Sequence, residues 1–174
     1  EPPEVKKTRQ LLLALLCAAA LCGQAQAGAQ KEEALAASVR AARQGAIADK
    51  ASPEPVFPSE EAKLHWLNEM APRLSKRFPD TQERVDFLKT IYYEAQRAGL
   101  DPQLVLGLIQ VESGFKKYAV SSAGARGLMQ VMPFWVRSIG TPDNNLFHLR
   151  TNLRYGCTIL RHYLDIEHGD LYRA

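Results

Sequence analysis

The sequence predicts a mostly α-helical protein. Apolar residues recur at i, i+3 and i+4 steps through several segments, and those segments are bounded by capping and breaking residues. No alternating strand pattern of useful length occurs, and the loop from Tyr118 to Arg126 has room for a short β-hairpin at most. A chain of 174 residues holds one core, or one core with an arm.

The first 27 residues read as a signal peptide. Lys6, Lys7 and Arg9 supply a basic start, and Leu11 to Cys22 an apolar run too short to span a bilayer comfortably. Ala25-Gln26-Ala27 is a small-x-small cleavage site, which predicts removal after Ala27 and export. An uncleaved anchor and a lipid-modified Cys17 or Cys22 are the lesser readings; the bulky Leu16 and Leu21 argue against the latter. Cleavage would leave Cys157 as the one thiol, with no internal disulfide and a place as a small buried hydrophobe.

Residues 28–58 read as an Ala-rich helix and a Pro-rich linker. Leu35, Val39, Ala42 and Ala46 recur at helical spacing but bury little, so this helix is expected to be solvated or loosely docked. Pro53, Pro55 and Pro58 lack backbone donors and disfavour helix before them, which places a domain boundary here.

Residues 59–80 read as an accessory helical segment. Ser59 is placed to cap it, with Glu60 and Glu61 in the first turn. Leu64, Leu67, Met70 and Leu74 should line one face, Pro72 should kink or split the helix, and Trp66 should pack.

Residues 81–174 form the main domain of this reading. Asp80 and Glu83 have capping-box spacing ahead of a stripe of Phe87, Leu88, Ile91, Tyr92, Ala95 and Ala98, which Gly99 should stop. Asp101-Pro102 starts the next helix, which is apolar almost all round through Val111 and is expected to be buried and central. A last helix from Thr151 carries a seam of Leu153, Cys157, Leu160 and Leu164 and ends at Gly169.

The mild net charge of +3 comes without a basic stripe interleaved with aromatics, so nucleic acid is not expected as a partner. His65, His148, His162 and His168 are scattered as surface or packing residues, so no metal and no cofactor is expected.

Glu112 is the candidate catalytic residue. On a helix it shares a face with Val105, Leu108 and Ile109. Loss of water there raises a carboxyl pKa and keeps it protonated, as a general acid acting on a glycosidic oxygen requires. Periodicity alone leaves open a Glu that points to solvent. Between Ser113 and Pro142 there is no Asp or Glu, which permits a mechanism with one carboxylate. Gly114, Gly124 and Gly127 allow close backbone approach beside the acid. Gln130 could bond a sugar or orient Glu112, and Met129 could pack on a sugar face or in the core.

Glu112-Ser113, Ser121, Gly124-Ala125 and Gly127-Leu128-Met129-Gln130-Val131-Met132-Pro133 together resemble the first two motifs of the soluble, goose-lysozyme-like lytic transglycosylases. Asn152, Gly156, Tyr163 and Leu164 continue the resemblance, which covers roughly residues 81 to 174. It implies a lysozyme-like (SLT) domain that cuts peptidoglycan glycan strands between N-acetylmuramic acid and N-acetylglucosamine. Glu112 would act first as acid and then as base, and a 1,6-anhydro sugar would form. A hydrolytic muramidase and a non-catalytic wall-binding or scaffold protein are the rival readings. The resemblance implies Ser113, Ser121, Gly127, Met129 and Gln130 as substrate-binding residues. It suggests a monomer in the periplasm, less favourably anchored at the outer membrane, with cell-envelope machinery as a further class of partner. Both ends of the sequence read as cut. Family members carry a third motif, Ala-Tyr-Asn-x-Gly, beyond the last helix, and Tyr172 lacks the following Asn and does not take that role.

Overall fold

The computed structural model describes residue 30 and residues 32–48 and 54–174. The signal-peptide expectation, residues 1–27, and Pro53 of the linker lie outside the described residues. Residues Glu32–Ala174 make one compact unit. Its helices are α1 (Ala37–Ala48), α2 (Glu60–Leu74), α3 (Thr81–Arg97), α4 (Pro102–Glu112), α5 (Phe134–Ile139) and α6 (Leu149–Ile166). The class is mostly α, as the periodicity predicts. In place of a hairpin, the loop after α4 makes two isolated antiparallel bridges, Val120 with Arg126 and Arg126 with Val131.

The helix ends follow local chemistry. Ser59 Oγ accepts from Ala62 N at 3.0 Å, Asp80 Oδ1 from Glu83 N at 2.7 Å, and Asp101 Oδ1 from Gln103 N at 2.8 Å. Each satisfies a donor that the first helical turn leaves open. Gly99 closes α3 at a φ of 66°: its N–H donates to Gln96 O and the Leu100 N–H to Ala95 O. This pair of bonds is the Schellman stop.

Three expectations need correction. The α4 helix is not buried all round: Val105, Leu106 and Ile109 face the core, but Val111 is 76% exposed. The helix buried on every side is α6, where each residue from Asn152 to Ile159 is buried; it begins at Leu149, not Thr151. In α2, Leu64 is exposed while Met70 and Leu74 are buried, and the helix runs through Pro72 and stops two residues later without splitting. An apolar count along one helix cannot say which neighbours will arrive to cover it; α3, for one, is packed by α2, α4 and α6.

Trp66 packs, as expected. Its ring lies 5.0 Å from Tyr92, and Phe57 stacks on Tyr92 at 3.9 Å. The segment before α2 is clipped to α3 by a reciprocal pair: Val56 N donates to Gln96 Oε1 at 3.3 Å, and Gln96 Nε2 donates to Val56 O at 2.7 Å.

The α1 helix has no fully buried residue and lies against α5 and α6. Leu35 and Ile47 touch the core edge. Much of its attachment is polar. Arg43 Nη2 meets Asp165 Oδ2 at 2.8 Å, and that hydrogen bond, with help from Arg161, holds the Asp165 carboxyl below its usual range. The last carbonyls of α1 are met by guanidinium groups: Arg97 donates to Ala46 O at 3.0 Å and Arg154 to Ile47 O at 3.4 Å. Cations suit the negative end of a helix.

Candidate active site

Glu112 is the last residue of α4. Its face continues down the helix through Ile109 and Val105, both fully buried, and the half-buried Leu108. The carboxyl group is itself half-buried, and that loss of water pushes its pKa up. The negative end of the α4 dipole acts in the same direction. Among the described residues no side chain or N–H bonds or pairs with this carboxylate, so nothing offsets the desolvation.

The chain leaves α4 abruptly. Gly114 and Phe115 both take left-handed backbone, with φ of 56° and 64°. Phe115 accepts this strain because its ring is anchored, 6.1 Å from Phe87 and 6.4 Å from Phe78. The loop then folds on itself. Ser121 N donates to Ala125 O at 3.0 Å, and Ala125 N donates back to Ser121 Oγ at 3.1 Å. Gly127 N donates to Ala119 O at 2.9 Å. The amide of Gln130 donates to Gly127 O at 2.8 Å and to Ala119 O at 3.3 Å.

The buried helix α6 fixes this loop from behind. Asn152 Oδ1 accepts from Met129 N at 2.8 Å, while its Nδ2 donates to Arg126 O and Leu146 O, both at 2.8 Å. One side chain thereby serves three backbone groups: it is the partner of Met129 N–H and Leu146 O, and a second donor to Arg126 O, which also accepts from Val131 N at 3.0 Å. Gly127 sits against it at a φ of 76°, and a Cβ there would lie 2.6 Å from Leu146 O. No other residue fits that approach.

The predicted site residues are therefore in one continuous region but in different settings. Glu112 is half-buried and Ser121 is exposed. Ser113 is buried at the end of α4, where its hydroxyl donates to Ile109 O at 3.2 Å. Gly127, Met129 and Gln130 are buried, with Met129 seated against Gly156. In this structure those three shape the loop from within.

Two residues escaped the sequence reading of the site. Asn152 is visible there only as part of a motif, because its partners lie 23 and 26 residues away and 6 residues back. Glu94 is 2% exposed and bonds to Arg97, Arg150 and Arg154 at 3.3, 3.4 and 2.9 Å. Its signal was a carboxylate inside the apolar stripe of α3, three residues after Ile91 and one before Ala95.

A cavity of about 570 Å³ lies elsewhere, lined by Ile47, Gly140, Asn144, Arg150, Arg154 and Tyr155 among others, and none of the predicted site residues reaches it. Among the described residues no group of three or more His, Cys, Asp or Glu is placed to hold a metal ion.

Residues 89–174 match the family model of the transglycosylase SLT domain. The chain is 37% identical over 86 residues to a transglycosylase of Enterobacteria phage PRD1, a match covering 49% of this chain and 31% of that protein. It is 53% identical over 47 residues to membrane-bound lytic murein transglycosylase C of Haemophilus influenzae, covering 27% of this chain and 13% of that protein. The chain thus spans less than a third of either relative. A solved structure of an inactive mutant of lytic transglycosylase Slt from Pseudomonas aeruginosa aligns with a TM-score of 0.45 and 29% identity, over 56% of this chain and 16% of that one. Through residues 89–174, this chain belongs to the transglycosylase SLT domain family.

Proposed function

We propose that this protein is a peptidoglycan lytic transglycosylase, with residues 81–174 as its catalytic part and Glu112 as its single acid and base. One observation carries the reading: a half-buried carboxyl at the end of α4, raised by desolvation and opposed by no protein partner, beside a loop of small residues. A carboxyl raised in this way keeps its proton to higher pH than an exposed glutamate, which is the direction a general acid needs.

The steps balance without water. Glu112 protonates the glycosidic oxygen, and the bond from that oxygen to C1 of the muramic acid ring breaks. The C6 hydroxyl of the same ring forms the new bond to C1 and gives its proton to the Glu112 carboxylate. The acid is restored, and the products are a free 4-hydroxyl and a 1,6-anhydro sugar. A second carboxylate, which a hydrolase uses as nucleophile or as base for water, has no role here. The stretch from Ser113 to Pro142 contains none.

The loop residues take supporting parts in this proposal. Ser121 and the surrounding backbone face the strand, while Ser113, Gly127, Met129 and Gln130 hold that surface in shape. The protein acts as a monomer in the periplasm; among the described residues no helix is long and apolar enough to cross a membrane.

The test is mass spectrometry of purified sacculi incubated with the protein. Anhydro-muropeptides, each lighter by one water than its hydrolysed counterpart, are the expected product. Hydrolysed ends would make the protein a muramidase that uses water, and no soluble fragments would leave it a wall-binding protein. Glu112→Gln should abolish release and leave binding to sacculi in place.

A further inference from the structure

Tyr118 is 71% exposed, on the loop that leaves the acid, and its phenol has no partner among the described residues. Its ring lies 5.9 Å from Phe147, which comes from the separate loop before α6. Cations flank the pair: Lys117 Nζ is 5.3 Å from the Tyr118 ring centre, and the Arg126 guanidinium is 6.0 Å from that of Phe147. From Ser113 to Pro142 the chain carries Lys116, Lys117, Arg126 and Arg137 and no acid.

This pair is held in place before any ligand arrives. Asn152 bonds to the carbonyl of Arg126 and to that of Leu146, the residue before Phe147, so both loops are tied to one buried side chain. Ala119, next to Tyr118, accepts from Gly127 N and from Gln130 Nε2. A rigid aromatic surface loses little entropy on binding.

We propose that Tyr118 and Phe147, with Lys117 and Arg126, form a second contact for the glycan strand, stacking on a sugar face and pairing with a carboxylate of the attached peptide. An exposed ring offers apolar area with a polar tip, which suits the CH-rich face of a sugar. The flanking cations select a saccharide that carries negative charge, as the muramic acid substituent and its peptide do. The inference rests on the reading of the substrate as peptidoglycan and adds to it residues that lie outside the acid and its supporting loop motif.

The experiment is co-sedimentation with purified sacculi, using Glu112→Gln as parent so that the wall is not digested. Adding Tyr118→Ala should weaken binding about fivefold or more, the effect of losing one good aromatic contact. Tyr118→Phe keeps the ring and should bind like the parent. Arg126→Ala should weaken binding at low salt and flatten its salt dependence, and this second variant decides the matter if Tyr118→Ala fails to unfold at the parent's temperature. Unchanged binding in Tyr118→Ala and Arg126→Ala, or no binding by the parent, overturns the proposal. Fragment release by the unmodified protein is read separately: its absence defeats the enzyme reading and leaves the binding result to stand or fall alone.

Discussion

Met129 occupies the space that Gly156 leaves open. A Cβ on Gly156 would come within 2.7 Å of Met129 Cβ and collide with the thioether as well. The glycine belongs to α6 and the methionine to the loop beyond the acid, so their fit sets how closely loop and helix approach. Gly156→Ala forces the two apart. Overpacking of a tight core usually costs about 1–3 kcal/mol, which should appear as a lower thermal midpoint. In a double-mutant cycle Met129→Ala should recover part of that loss, because the contact is direct.

Asn152→Ala leaves two backbone groups, Met129 N–H and Leu146 O, without their partner at once, while Arg126 O keeps the Val131 N–H. Each buried donor or acceptor left alone costs about 1–3 kcal/mol, so the variant should be destabilised by several times the effect of a surface change. Hydrogen exchange at Met129 N–H should rise, since its acceptor is gone.

How much of this was legible in the sequence depended on distance along the chain. The caps of α2, α3 and α4 join residues two or three apart, and the spacing of Ser59, Asp80 and Asp101 predicted them. Glu112 was legible as an acid on an apolar helix face for the same reason. The exposure of Val111 and Leu64 was not, because it depends on which helices arrive, and neither was Glu94, whose partner Arg154 lies 60 residues on.

Glu94→Gln tests that buried network. One carboxylate faces Arg97, Arg150 and Arg154, and removing its charge takes the counter-charge from Arg154, the guanidinium buried beside it. Breaking such a pair costs about 3–5 kcal/mol. Denaturant unfolding should show the loss, and α1 should loosen with it, since Arg97 and Arg154 also hold its last carbonyls.

Glu112→Gln has a signed effect on stability. Burial raises the Glu112 carboxyl, so the native chain holds this proton more tightly than the unfolded chain. In acid, below the ordinary glutamate range, both forms are protonated and the residue carries no penalty. As pH rises through that range and on through the raised native value, the native chain must ionise a desolvated group, and stability falls. The variant should match the parent in acid and exceed it at neutral pH, as thermal unfolding at the two pH values will show. Fragment release by the parent should decline over the same rise in pH, as the acid loses its proton.

The three bonds of Asn152 mean that the loop beyond Glu112 does not carry its own blueprint. Half of its instructions are written on α6, at Asn152 and Gly156, and a graft of residues 113–133 alone would arrive without its mould. The transplantable unit is the loop together with that helix, and drift in either one is confined by the other.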